Sequence, residues 1–394
     1  MKKETTKLKL VLYTIGHFIW KWVKNPLLVG SHISNAYKLT KEGGPKKLSD
    51  TVFRQYLPKK YLLKTKINIK TPSTSIYGKL KTSVDLEINP LAPKNLYEIN
   101  AKIKILVIRS GAMGDVLLAT PIIKKLFKNY DGLCSITVAT RYADIFKNNP
   151  YIVKCISIHD LRNIEEQYDL ILDLDSCYEK NRALHVTEAY NFYTFGISST
   201  TENLQPEIFS TNSDKETCSE FIKNIKSPYI VCHNREDASQ PYRNVPRKEW
   251  ERLLTSLSEK SDLQIVQIGS RSMDIALKNE NNKFIDARDI FSLQQTKELI
   301  SNAKLFLGTD AGPLHIAATT QTPIVSFFSI AHHHLRRPLR DDQSIFKPVT
   351  PNIDCYGCQS DFSINDPWFC KRNDFSCTST FNINKALDDC LSFM

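Results

Sequence analysis

Hydrophobic and polar positions alternate along this chain in two different periods. Six short apolar, β-branched-rich runs stand out: 103–108, 135–139, 153–158, 170–174, 229–232 and 263–268, joined later by 305–307 and 323–328. Continuous apolar runs of this length predict strands buried on both faces, as in a parallel sheet. Between them, 3.6-residue periodicity predicts helices. One starts near Val116, with Val116, Ala119, Ile123 and Leu126 on one face, one lies near Cys218, and others cover 247–257, 293–301 and 313–318. Strands alternating with helices predict a doubly wound α/β fold, and the series occurs twice. The polar stretch 198–226 reads as the connector. Two such halves place a cleft at the carboxyl ends of both sets of strands.

The pattern before residue 100 differs. On a helix, Leu8, Val11, Leu12, Ile15, Phe18, Ile19, Trp22 and Val23 share one face. Lys7, Thr14, His17, Lys21 and Lys24 share the other, with Tyr13 and Trp20 at the border. This predicts a helix over 7–24 lying in a membrane interface, against the plainer reading of a helix packed on the protein's own body. Residues 41–50 read as a linker. The expected organisation is a basic extension (1–100), a first half (101–226), a second half (227–345) and a cysteine-containing tail (346–394).

Charge sharpens this division. Of the formal +11, residues 1–100 carry 19 Lys/Arg against 6 Asp/Glu, which leaves the remainder at −2. The extension therefore asks for an anionic partner, and without a nucleic-acid module a membrane surface fits better than nucleic acid. No run reaches the roughly 18–20 apolar residues of a spanning helix. The ten cysteines lack the spacing of a disulfide-stapled secreted domain, so a reducing, cytoplasmic compartment is expected.

Candidate chemistry concentrates in two turns. After the first strand comes Arg109-Ser110-Gly111-Ala112-Met113-Gly114-Asp115. Strand, glycine turn and helix aim backbone N–H groups at an anion, and Asp115 is either a helix cap or a proton acceptor. The second turn is Gly308-Thr309-Asp310-Ala311-Gly312-Pro313-Leu314-His315. There Gly312 admits a diphosphate, His315 reaches a phosphate or sugar, and Asp310 orients the loop; the plainer reading is a capped turn with a buried His. His233-Asn234-Arg235, Arg243 and Gly269 follow strands of the second half, and Arg235 or Arg243 could neutralise a phosphate or simply sit in a solvated basic loop. Cys355, Cys358, Cys370 and Cys377 read as reduced thiols packing the tail, with a structural zinc as the alternative, since the second pair departs from C-x2-4-C spacing. His332, His333 and His334 are successive on a loop, which disfavours convergence on one ion, and are expected to be cleft-lining or exposed.

Residues 105–121, 168–174, 243–250 and 308–318, in this order and spacing, resemble the heptosyltransferases, glycosyltransferase family 9, of GT-B fold. The resemblance spans roughly 102–394, cysteine tail included. It implies inverting transfer of heptose from ADP-heptose to a lipopolysaccharide or lipooligosaccharide core, without a required cofactor or catalytic metal. It further implies Asp115 as general base, Arg243 as diphosphate support, and Asp310, Ala311, Gly312 and His315 as the nucleotide-sugar loop. Ser110, Gly111, Met113, Gly114, Asn234 and Gly269 complete the expected substrate contacts. Ala311 stands where many members carry a hydroxyl, and the basic extension is not part of the family core. The expected location is peripheral, on the cytoplasmic face of the inner membrane. The rivals are a GT-B nucleotide-sugar epimerase and a non-catalytic envelope-assembly protein.

Overall fold

The computed structural model describes residues 80–81, 87–88 and most of 103–394; within that span 164–167, 176, 181–183, 196–202, 226–227, 238–239, 273, 275, 277–282, 361–369, 371 and 373 are not described. The expected helix at 7–24 and the linker at 41–50 lie outside the described residues. Leu80–Lys81 and Glu87–Ile88 pair antiparallel.

The first half is a four-stranded, all-parallel sheet built from β1 (Ile103–Ile108), β2 (Cys134–Thr140), β3 (Lys154–Ser157) and β4 (Leu170–Asp173), in the order β3-β2-β1-β4. The central strand β1 is buried from Ile105 onward, as its unbroken apolar run requires. The expected single helix from Val116 is two helices, α1 (Met113–Leu117) and α2 (Thr120–Asn129). Pro121 explains the break: it has no N–H to continue a helix but suits the first turn of a new one. The apolar face is as expected, with Val116, Ala119, Ile123 and Leu126 all buried. Helices α3 (Cys177–Lys180) and α4 (Val186–Phe195) complete the half, and α5 (Asn212–Lys223) leads into the second half, where the Cys218 thiol donates to the Gln295 carbonyl.

The second half is a six-stranded, all-parallel sheet. Its strands are β5 (Tyr229–Cys232), β6 (Gln264–Gln267), β7 (Phe284–Asp286), β8 (Leu305–Thr309), β9 (Ile324–Phe327) and β10 (Phe346–Val349), in the order β10-β9-β8-β5-β6-β7. Helices α6 (Arg247–Lys260), α7 (Leu293–Ser301), α8 (Gly312–Ala317), α9 (His333–Arg336) and α10 (Ile383–Leu391) surround it. On one face, Trp250, Leu253, Leu254 and Leu257 of α6 meet Ile383, Ala386, Leu387 and Cys390 of α10 in one buried cluster. The tail thus supplies a helix that closes the core; burying a side chain such as Leu387 there contributes about 1.5–3 kcal/mol. Two parallel doubly wound sheets in series are the GT-B architecture. Among the described residues, no helix is long and apolar enough to cross a membrane.

Candidate active site

The carboxyl ends of β1 and β8 deliver the two glycine turns to the same cavity, about 750 Å³ in volume. Met113, Gly114 and Asp115 line it from the first half; Arg243, Gly269, Asp310, Ala311, Gly312 and His315 line it from the second. The turns touch. A Cβ added to Gly114 would fall 2.6 Å from His315 Cδ2, and one added to Gly312 would meet the end of the Met113 side chain. Glycine at 114 is therefore set by the approach of the opposite half, as well as by any ligand.

Asp115 occupies the third position of α1 and accepts a hydrogen bond from the Ala112 amide at 3.2 Å, so the cap reading is realised. It is also doubly ion-paired. Its Oδ2 lies 3.2 Å from Arg109 Nη2, and its Oδ1 lies 3.1 Å from Arg336 Nη1. Burial pushes the Asp115 carboxyl up, but Arg109, Arg336, His315 and the Ala112 amide outweigh it and hold the group below its ordinary value.

Arg109 is fixed from behind. Its Nη1 donates to the Leu174 carbonyl and to Asp175, both at 3.3 Å. Asp175 also accepts from the Ser110 amide at 2.8 Å and the Ser110 hydroxyl at 2.6 Å. Ser110 is thus a structural tie and does not line the cavity. Gly111 does not line it either; a Cβ there would fall 2.8 Å from both Arg109 Nη2 and Asp115 Oδ2, so Gly111 lets that ion pair close.

On the second turn, Asp310 pairs with Arg243 at 3.1 Å, and Arg243 also donates to the Asp310 carbonyl. Burial raises the Asp310 carboxyl, yet Arg243, Arg336 and His315 bring it below its ordinary value. Burial lowers His315 to about 4, so it is neutral at physiological pH. Asn234 does not line the cavity; it is buried and accepts from Gln267 Nε2 at 2.7 Å. Gly269 has φ +134, and a Cβ there would meet Asp274 Oδ2. Beyond it, Ala287, Asp289, Phe291, Leu293 and Thr296 give the cavity an apolar end with one carboxylate.

Outside the cavity, the expectation that the three histidines do not converge changes. His332 and His333 are half-buried and do not line the cavity, while His334 is exposed, as expected. His332 caps α9, and the turn stacks the three rings with centroids 4.1–4.9 Å apart, beside Tyr356. Their ligand nitrogens consequently converge within 4.8 Å, against expectation. The four tail cysteines are reduced thiols, and Cys377 is pushed up to about 12 by burial and then by the nearby thiols of Cys358, Cys370 and Cys355. Arg336 and Tyr178 are cavity residues that the sequence did not reveal. Arg336 lies 221 positions from its partner in the chain, beside Arg337 and shortly after the histidines.

Residues 179–368 match the model of glycosyltransferase family 9 (heptosyltransferase). Lipopolysaccharide heptosyltransferase 3 of Escherichia coli (strain K12) is 26% identical over 120 residues, 29% of this chain. The chain spans 34% of the length of that curated relative. Among solved structures, the glycosyl transferase family 9 protein from Veillonella parvula DSM 2008 superposes with a TM-score of 0.60 at 15% identity, covering 76% of this chain and 99% of that one. The E. coli ADP-heptose lps heptosyltransferase II gives 0.56 at 16%, covering 74% and 98%. These two likenesses show the fold.

Proposed function

We propose that the cavity of this chain, whose residues 179–368 match the glycosyltransferase family 9 model, transfers a sugar with inversion, heptose from ADP-heptose, to a lipopolysaccharide or lipooligosaccharide core. The observation that carries this reading is the facing of Asp115 and the Asp310–Gly312 turn across one cavity large enough for a nucleotide sugar. Asp115 removes the proton of the acceptor hydroxyl. The resulting oxygen bonds to the anomeric carbon from the face opposite the diphosphate, and the bond from that carbon to the diphosphate oxygen breaks, its electron pair leaving with the nucleoside diphosphate. Arg243 offsets the departing charge. The apolar end beyond Gly269 receives the nucleoside. The reading needs no catalytic metal; an unchanged rate in excess EDTA supports that, and loss of rate contradicts it.

The basic extension is proposed to hold the enzyme on the anionic cytoplasmic face of the inner membrane through residues 7–24, where a lipid-linked acceptor is displayed. Deleting residues 1–40 should release the protein from anionic vesicles, and unchanged binding would refute this role.

The test of function is incubation with ADP-heptose, with and without core acceptor, followed by mass spectrometry. Heptose on the acceptor with release of ADP supports transfer. Donor isomerised without acceptor points to an epimerase, and inert donor to a non-catalytic protein.

A further inference from the structure

Arg336 lies outside all four sequence stretches that carry the family resemblance. It ends α9 in the second half, yet its guanidinium crosses the cleft to Asp115 on the first half, 3.1 Å away. It also lies 4.2 Å above the Tyr178 ring. Only 11% of its side chain is exposed, and it lines the same cavity as Arg243 and Gly312.

The groups facing Asp115 come from every neighbouring element. They are Arg109 at the end of β1, Arg336 on α9, His315 on α8, Asp310 after β8, and the phenols of Tyr178 on α3 and Tyr190 on α4, whose hydroxyl donates to the Asp115 carbonyl. His315 is held neutral by burial, so at neutral pH the cations on this carboxylate are the two arginines. A carboxylate clamped by two guanidiniums is a weak base, whereas the proposed reaction asks it to take a proton from a sugar hydroxyl. One clamp must open. Arg109 is buried and held by the Leu174 carbonyl and Asp175. Arg336 is held by Asp115 and by the ring and hydroxyl of Tyr178, side chains only, and its Nε, like that of Arg109, has no hydrogen-bond partner among the described residues. Lacking the backbone carbonyl and second carboxylate that hold Arg109, Arg336 is the arginine that can exchange partners, and a diphosphate offers it more charge and a bidentate set of oxygens.

We propose that Arg336 is a shared counter-ion, paired with Asp115 in the empty cleft and with the diphosphate once a nucleotide sugar is bound. This rests on the nucleotide-sugar reading above. Donor binding then leaves Asp115 with one arginine in place of two and strengthens it as a base, while the leaving group gains a cation. Arg336 contacts substrate in the second state and acts on Asp115 as a positioning residue in the first.

The two states make Asp115 a competitor of the diphosphate for Arg336, and a double-mutant cycle on ADP affinity in the full-length protein reads that competition. Asp115→Asn should tighten ADP several-fold by releasing Arg336. Arg336→Gln should weaken ADP about tenfold. In the double variant the tightening should vanish, because there is no arginine left to release. Arg336→Lys, which keeps the charge, should retain part of both effects and guards against a folding defect in the Gln variant. A matching readout is proton uptake on ADP binding at pH 5, larger in the wild type than in either Asp115→Asn or Arg336→Gln. If Asp115→Asn tightens ADP equally with and without Arg336, mere removal of a repelling charge explains it and the proposal is overturned. If ADP, GDP and UDP all fail to bind, the nucleotide-sugar reading falls and takes this one with it.

Discussion

Gly114 and His315, on opposite halves of the molecule, meet so closely that a single added methyl at 114 would lie 2.6 Å from the imidazole Cδ2 and 3.3 Å from Nε2. His315 is buried and cannot swing aside as a flexible chain end would. Gly114→Ala should therefore force the two turns apart. The expected cost is about 1–3 kcal/mol of stability, read as a lowered Tm, together with a loss of turnover larger than stability explains. A variant with unchanged Tm and turnover would show that the turns do not pack in this way.

Arg243 bridges to Asp310 and is the second guanidinium able to meet a diphosphate. Arg243→Ala should weaken ADP binding about tenfold, measured by calorimetry, while the far-ultraviolet circular dichroism stays native. Undiminished ADP affinity would remove Arg243 from the phosphate site.

Two buried histidines set an acid limit on stability. His185 is lowered to about 3 and His315 to about 4, both chiefly by burial, from an unfolded value of 6.5. The unfolded chain binds their protons first, so stability is fully present above pH 6.5 and falls as pH drops toward 4. At pH 5 each contributes a loss of about 2 kcal/mol. His185 Nδ1 accepts from the Thr187 amide and its Nε2 faces the Arg337 carbonyl, so a second proton would set N–H against N–H. Tm measured from pH 7.5 to 5 should fall, and the fall should be smaller in His185→Gln. An equal fall in that variant would assign the acid loss elsewhere.

Most strands were legible because buried parallel strands are written as continuous apolar runs, and α7 at Leu293–Ser301 has the expected bounds, its start fixed by Ser292, whose hydroxyl accepts from the Gln295 amide. Two edge strands were not legible. Phe284–Asp286 is three residues long and half-buried, and Phe346–Val349 contains Pro348, which reads as a break and is tolerated only at an edge. At the site, the two turns were readable because glycine spacing and helix starts are local. Arg336 was not, because its meaning comes from a contact between halves. The place of Asn234 was not legible for the same reason: it follows a strand, and only the fold sets Gln267 against it, outside the cavity lining. Asp115 looked like either a cap or a base, and the geometry gives it the cap bond while pointing its carboxylate into the cavity.

The central claim is that Asp115 is the base of a sugar transfer. The most direct measurement compares wild type and Asp115→Asn for heptose transfer from ADP-heptose to core acceptor by mass spectrometry, with ADP binding measured on the same samples. Turnover should fall at least about a hundredfold in Asp115→Asn while ADP binding is kept or strengthened. Near-wild-type turnover in Asp115→Asn would contradict that claim.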